Sequence, residues 1–173
     1  MRIDRPERKI LRLKGYDYSS PGNYFVTTCT QYREKLFGEV RDEKMFLSDA
    51  GKVVQICWQE IPEHYHGVHV DAFVVMPDHV HGIIAIGAGA IHESPRTEDS
   101  DAQVRRRMLI PLIIGRFKQN SAKLINKMRG VSGVAVWERS YYESIIRDQK
   151  SLSRIRAYIL RNPECWSKHS LRN

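Results

Sequence analysis

Two histidines one residue apart, and a tyrosine four residues before an asparagine, are the side chains of this chain with the clearest chemical use. His79-Val80-His81 sits within Met76-Pro-Asp-His-Val-His-Gly-Ile-Ile84. On an extended strand successive side chains alternate, so His79 and His81 share one face and Val80 takes the other. Two imidazoles so placed can meet one cation. With no cysteine beside them they do not specify a soft metal. If an amide oxygen and a phosphate complete the shell, Mg2+ or Mn2+ fits, and zinc stays open from histidine ligation alone. Tyr158 and Asn162, in Tyr158-Ile-Leu-Arg-Asn162, lie at i and i+4 and share a face if the segment is helical. A phenol with a pKa of about 10 is a weak nucleophile at neutral pH. A cation on a phosphate would lower the barrier to attack and help the leaving oxygen. An amide oxygen one turn from the tyrosine, such as that of Asn162, could hold the same cation. Taken as structure only, the same residues are two surface histidines at a strand end and a half-buried tyrosine with a wet hydroxyl.

The elements that must position these groups can be read from hydrophobic spacing and punctuation. Tyr24 to Thr30 is β-branched and aromatic after the turn signal Pro21-Gly22-Asn23, which predicts a strand. Leu36 to Val40 and Met45 to Leu47 flank a polar turn and predict a hairpin. Ser48 caps a predicted helix to about Tyr65, with Val53, Val54, Cys57, Trp58 and Ile61 on one face. Val68 to Met76 and His79 to Ile86 read as paired strands broken by Pro77-Asp78. A second helix is expected over 108–128, ended by Gly130, with Ile110, Ile113, Ile114, Phe117, Ala122, Leu124, Ile125 and Met128 as its apolar set. Val134 to Ile146 is expected to be extended. Asp148 caps a last helix from about Lys150 to Arg161, stopped by Pro163. Helices packed on an antiparallel sheet make this an α+β chain. Its 173 residues fit one domain, with residues 1–15 a basic arm and 87–106 a mobile loop.

Charge narrows the partner. There are 28 Lys and Arg against 20 Asp and Glu, a net charge of +8, and the sequence pI is near 9.5. That balance favours a polyanion, because basic side chains gain by releasing phosphate counterions. Cys29, Cys57 and Cys165 are far apart and odd in number, which gives no disulfide framework and no CxxC zinc site. Residues 1–14 have no continuous apolar run, so no signal peptide is expected, and no stretch reaches the roughly 18 apolar residues of a membrane span. A cytoplasmic protein associated with the nucleoid is the expectation.

Several ordered blocks resemble the REP-associated tyrosine transposases, within the single-tyrosine HUH transposase superfamily. They are Lys14-Gly-Tyr-Asp-Tyr18 with Tyr24-Phe-Val-Thr27; Val74-Val-Met-Pro-Asp-His-Val-His-Gly-Ile83; Gly115-Arg-Phe-Lys118; Val136-Trp-Glu-Arg-Ser-Tyr-Tyr-Glu-Ser-Ile-Ile-Arg147; and Ile155-Arg-Ala-Tyr-Ile-Leu-Arg-Asn-Pro163. The resemblance implies a ferredoxin-like core with the histidine pair on a central strand and a C-terminal tyrosine helix. It implies His79, His81 and Asn162 as ligands to Mg2+ or Mn2+, and Tyr158 as the nucleophile. The substrate it implies is single-stranded DNA near short palindromic hairpins, cut to a 5′-phosphotyrosine link and a free 3′-hydroxyl. Tyr141 and Tyr142 are rival nucleophiles, but their strand context lacks an amide one helical turn away. Lys118, Arg116, Arg147 and the arm residues Arg12 and Lys14 are candidate phosphate contacts. Trp137 can stack a base or sit in the core. Two other functions stay open: a DNA-binding regulator on the same fold without cleavage, and an RNA-binding or RNA-processing protein. Whether the chain acts as a monomer or a homodimer is not set by the sequence.

Overall fold

Four strands of this chain form one sheet with both faces covered: burial alternates along its β1 strand, Gly22–Cys29, and is nearly continuous along the strand His79–Ile86. The structure is a computed structural model that describes residues 16–88, 90 and 108–170. The expected basic arm, with Arg12 and Lys14, lies outside the described residues, as does most of the expected loop at 87–106. The sheet comprises β1 (Gly22–Cys29), β4 (Val68–Met76), β5 (His79–Ile86) and β6 (Tyr142–Ile146). The order is β4-β5-β1-β6 with every neighbour antiparallel. A separate hairpin, β2 (Gly38–Arg41) and β3 (Lys44–Leu47), follows β1. Its tight turn is made by Asp42 and Glu43, both at positive φ.

Helices cover the two faces unequally. Before β4 come α1 (Asp49–Gln59) and a short α2 (Ile61–His64); before β6 comes α3 (Leu109–Met128). With them the sheet has the β-α-β-β-α-β order and strand arrangement of a ferredoxin-like fold, and the histidine pair is on its central strand β5. Tyr24, Val26, Val80 and Ile84 on one sheet face join Val54, Trp58, Ile110, Ile113, Ile114 and Phe117 in the main core. The opposite face carries a smaller cluster. There Ile83 and Ile146 meet Leu152 and Ile159 of α4 (Gln149–Leu160). A last helix, α5 (Asn162–Ser170), follows.

Most element boundaries follow from local chemistry. Ser48 caps α1, its Oγ accepting from the Gly51 amide at 3.1 Å, and Asp148 caps α4 by accepting from the Ser151 amide at 2.7 Å. After α3, Gly130 at φ 68° takes the left-handed position. The Val131 amide donates to the Asn126 carbonyl and the Gly130 amide to that of Lys127, the paired bonds of a Schellman ending.

Four expectations need correction. The first helix does not run unbroken to Tyr65. It stops at Gln59 and restarts at Ile61, because Pro62 has no amide to give the carbonyl of Trp58. Leu124 and Met128, expected among the apolar set of α3, are exposed. Only Tyr142–Ile146 of the extended segment 134–146 is strand, with one isolated bridge between Thr30 and Trp137. The Lys118 ammonium gathers the successive carbonyls of Glu138, Arg139 and Ser140, whereas in a strand successive carbonyls alternate sides. Finally, Pro163 does not end the helical structure. It sits in the first turn of α5, where a missing amide is no loss.

Gly82 ties the histidine strand to the core. A Cβ there would lie 2.3 Å from Cζ2 of Trp58, a ring that is wholly buried. Gly82→Ala therefore forces a rigid indole or the strand to move, an overpacking cost of about 1–3 kcal/mol. We expect a matching loss of stability in urea denaturation; an unchanged midpoint would show that Trp58 does not fix this strand.

Candidate active site

The histidine pair lies where a two-residue turn begins β5. Met76 pairs with His79 across the Pro77-Asp78 turn. That turn is anchored from outside: the Phe37 amide donates to the Pro77 carbonyl at 3.0 Å and the Thr30 amide to the Asp78 carbonyl at 2.8 Å. The β1–β5 register then sets Thr27 opposite His81 and Cys29 opposite His79. Both imidazoles face the side of the sheet that α4 covers, and their ring centroids are 4.5 Å apart.

The protein engages one nitrogen of His79 and both nitrogens of His81. His79 Nδ1 lies 2.5 Å from Asp78 Oδ1. Asp78 is itself buried, and its other oxygen is 3.6 Å from Nε of Arg33. His81 Nδ1 lies 2.7 Å from the Thr27 hydroxyl, and His81 Nε2 lies 3.3 Å from the Tyr158 hydroxyl. Both partners are hydroxyls, so either neutral tautomer satisfies both contacts; with the proton on Nδ1, Nδ1–H donates to Thr27 and the Tyr158 hydroxyl donates to Nε2. Burial, helped by the neighbouring His79 and Arg33 and opposed by Asp78, holds the His81 pKa down to about 3. This imidazole is therefore neutral at neutral pH, the form that can ligate a metal. It is also a poor acceptor for a phenol proton, since a phenol ionises near pH 10.

Helix α4 delivers Tyr158 because its apolar stripe points down. Leu152 and Ile159 are buried against Ile83 and Ile146, with Ile155, Phe25, Ala72 and Val74 packed around them. Burying two such side chains contributes about 1.5–3 kcal/mol each. Arg156 adds two bonds to Asp71 Oδ2 on β4, at 2.9 and 2.6 Å. Both partners are partly solvated, so this pair contributes about 1 kcal/mol or less and orients the helix more than it holds it. Tyr158 remains 47% exposed at the edge of the stripe. Its ring centroid is 5.3 Å from His81 and 6.3 Å from Phe25.

Asn162 is buried at the junction of α4 and α5. It lies four residues after Tyr158, which touches His81, and four before Trp166, whose ring centroid is 5.7 Å from His79. Its amide makes no hydrogen bond among the described residues. Also among the described residues, no group of three His, Cys, Asp or Glu side chains is disposed to hold a metal ion. A cation here would need the two imidazoles, an amide oxygen and oxygens from outside the protein. Of those donors the structure brings the two imidazoles together on one sheet face.

The other expected site residues are dispersed. Tyr142 opens β6 on the site face, 6.3 Å from Phe25 between ring centroids, while Tyr141 packs on the main core. Trp137 is buried between Phe37 and Phe117 and donates Nε1–H to Ser121, which makes it a core residue. Arg116 lines a cavity of about 270 Å3 with Tyr65, Ile113 and Lys123, between α1–α2 and α3 on the face opposite the histidines. Lys118 is spent on the 138–140 carbonyls, and burial holds its pKa down to about 8. Arg147 is exposed but follows Ile146, which pairs with Asn23, at the end of β1 far from Cys29 and His79. Asp78, Thr27, Phe25 and Trp166 join the site without having been singled out from the sequence. Only Asp78 carried a signal, as the neighbour of the histidine pair.

No model of a protein family matches the sequence. An uncharacterised protein of Haemophilus influenzae is 38% identical over 172 residues, spanning 95% of this chain and 92% of that protein. A second protein of that organism, named "Putative REP-associated tyrosine transposase", is 26% identical over 147 residues, spanning 85% of this chain and 73% of its own length. Among solved structures, a REP-associated tyrosine transposase bound to a REP hairpin matches with a TM-score of 0.53 at 18% identity, covering 91% of this chain and 73% of that one. The solved transposase structure thus shares the fold of this chain, and the relative named as a putative transposase spans most of its length.

Proposed function

We propose that this protein is a transposase-like enzyme that cuts and rejoins single-stranded DNA with Tyr158 as its nucleophile. The observation that carries this reading is the contact between the Tyr158 hydroxyl and His81 Nε2 at 3.3 Å, beside a second histidine on the same strand face. The phenol oxygen attacks a backbone phosphorus, forming an O–P bond as the bond to the 3′-oxygen breaks. The phenol proton is lost to solvent and the leaving 3′-oxygen ends as a hydroxyl. The resulting 5′-phosphotyrosine conserves the bond, so that a 3′-hydroxyl can reverse the step and join strands.

The protein's part is placement. His79 and His81, with Asn162 as the amide donor, would hold a Mg2+ or Mn2+ ion, which when bound supplies positive charge to the phosphate oxygens and the leaving group. Asp78 fixes the ring of His79 and Thr27 that of His81, so that their Nε2 atoms face outward together. Helix α4 docks on the sheet of its own chain and sets the phenol beside the pair. The net charge of +8 supports a nucleic-acid substrate. The related transposase structure holds a REP hairpin, and a palindromic hairpin with an adjoining single strand is the substrate we assign here. Association with the nucleoid follows from that assignment. Among the described residues no helix is long and apolar enough to cross a membrane.

Incubation with a single-stranded hairpin DNA and Mn2+, read on a denaturing gel, tests this directly. Tyr158→Phe should abolish the covalent protein–DNA adduct, while Tyr141→Phe and Tyr142→Phe keep it; an adduct with Tyr158→Phe would exclude that nucleophile. Replacing His79 and His81 together by Ala should stop cleavage and leave DNA affinity within about threefold, because most affinity comes from phosphate contacts elsewhere. Full cleavage by the double variant would remove the metal assignment. Hairpin binding by wild type with no adduct under any divalent ion would favour a regulator without cleavage.

A further inference from the structure

One short segment beside the site has a geometry that neither the fold nor the cleavage chemistry requires. Between β1 and β2 the chain makes a 3-10 turn at Gln31–Arg33. Within it Tyr32 is at φ 58° and ψ 18°, and Arg33 is at φ 58°. Two successive residues with bulky side chains in the left-handed region are disfavoured by contact of Cβ with the backbone. The surroundings nevertheless fix this arrangement from several sides. The Gln31 amide donates to the Val136 carbonyl at 2.8 Å. The buried Thr30 hydroxyl bridges the turn to the Glu34 carbonyl at 2.8 Å. Arg33 Nη1 donates to Cys29 Sγ at 2.8 Å, and Arg33 Nε is 3.6 Å from Asp78.

The outcome is an aromatic ring held out into solvent. Tyr32 is 89% exposed, more than any other large apolar side chain among the described residues. Its ring and hydroxyl make no contact with another ring and no hydrogen bond among them. A strained backbone that buries nothing adds no stability, and such strain persists where it serves a site. The site is close: Tyr32 adjoins Arg33, which reaches Asp78, which holds His79.

We propose that Tyr32 is a stacking platform for an unpaired nucleobase beside the phosphate held at His79, His81 and Tyr158. This rests on the single-stranded DNA reading above. A phenol ring presented edge-free to solvent stacks on any base, because every base has a π-face. The exposed side of the neighbouring Arg33 adds positive charge for the strand's backbone. Tyr32 so placed favours an unpaired strand over a duplex, whose bases are already stacked, and it fixes the register of the strand at the nucleophile without touching the reacting atoms.

Fluorescence anisotropy of the full chain, with a labelled oligothymidine and with a blunt duplex of the same length, tests the assignment. Tyr32→Phe keeps the ring and should bind the single strand as wild type does. Tyr32→Ala and Tyr32→Gly should weaken that binding by roughly 5- to 150-fold, the range found when one stacked base loses its aromatic partner, with duplex binding little changed. Tyr32→Gly relieves the left-handed strain and should melt no lower than Tyr32→Ala, so weakened binding by both variants is not a folding defect. If wild type binds the single strand and Tyr32→Ala and Tyr32→Gly bind it equally well, the stacking role is overturned while the DNA reading stands. If wild type itself binds no single-stranded DNA, both fall.

Discussion

The register of β1 against β5 is the constraint on which the site depends. Pairing sets Thr27 opposite His81 and Cys29 opposite His79, so both imidazoles leave the sheet on one side. Side chains alternate along a strand, so a slip of one residue would turn both histidines into the main core and Val80 outward. Burial forbids that slip. Tyr24, Val26, Val80 and Ile84 are all fully buried on the other face, and Gly82 alone leaves room for the indole of Trp58. On the other side of β1, its separate register with β6 sets Tyr142 opposite Thr27, so β1 runs between β5 and β6.

Given that face, the remaining parts of the site are consequences of packing. The apolar stripe of α4 has one surface to cover, formed by Ile83, Ile146 and their neighbours. Once it is seated, a residue at the edge of the stripe near the C-terminal end of the helix falls beside His81. Tyr158 holds that position. The bond from Arg156 to Asp71 sets the rotation of the helix about its axis, since it joins the helix flank to β4. Pro163 then turns the chain into α5 without breaking away from the sheet, which brings Trp166 to His79. The two histidines are thus met from two helices, and Asn162 is the residue between them.

Much of this was legible in the sequence because it is local. Alternation in Val68–Met76 and in the strand after it, the Pro77-Asp78 break, the Ser48 and Asp148 caps and the 3.6-residue spacing of the helices all act within a few residues. The pairing of His79 with His81 on one face needed only the period of a strand. What was not legible depends on long-range register or on a single tertiary bond. Thr27 cannot be matched to His81 without knowing how β1 pairs. The curl at 138–140 comes from a lysine some twenty residues earlier. Arg116 and Arg147, basic and apparently well placed in the sequence, fall on the opposite face and at the opposite end of the sheet, since charge has no period that reports a face. A proline that ends one helix and opens another reads in sequence as a stop.

We propose above that the hydroxyl oxygen of Tyr158, set beside His81 by α4, becomes bonded to DNA. The most direct measurement is mass spectrometry of the protease-digested wild-type protein after reaction with a single-stranded hairpin oligonucleotide and Mn2+. We expect a nucleotide joined through phosphate to Tyr158 and to no other residue. A nucleotide found on Tyr141, on Tyr142 or on a non-tyrosine side chain would contradict it.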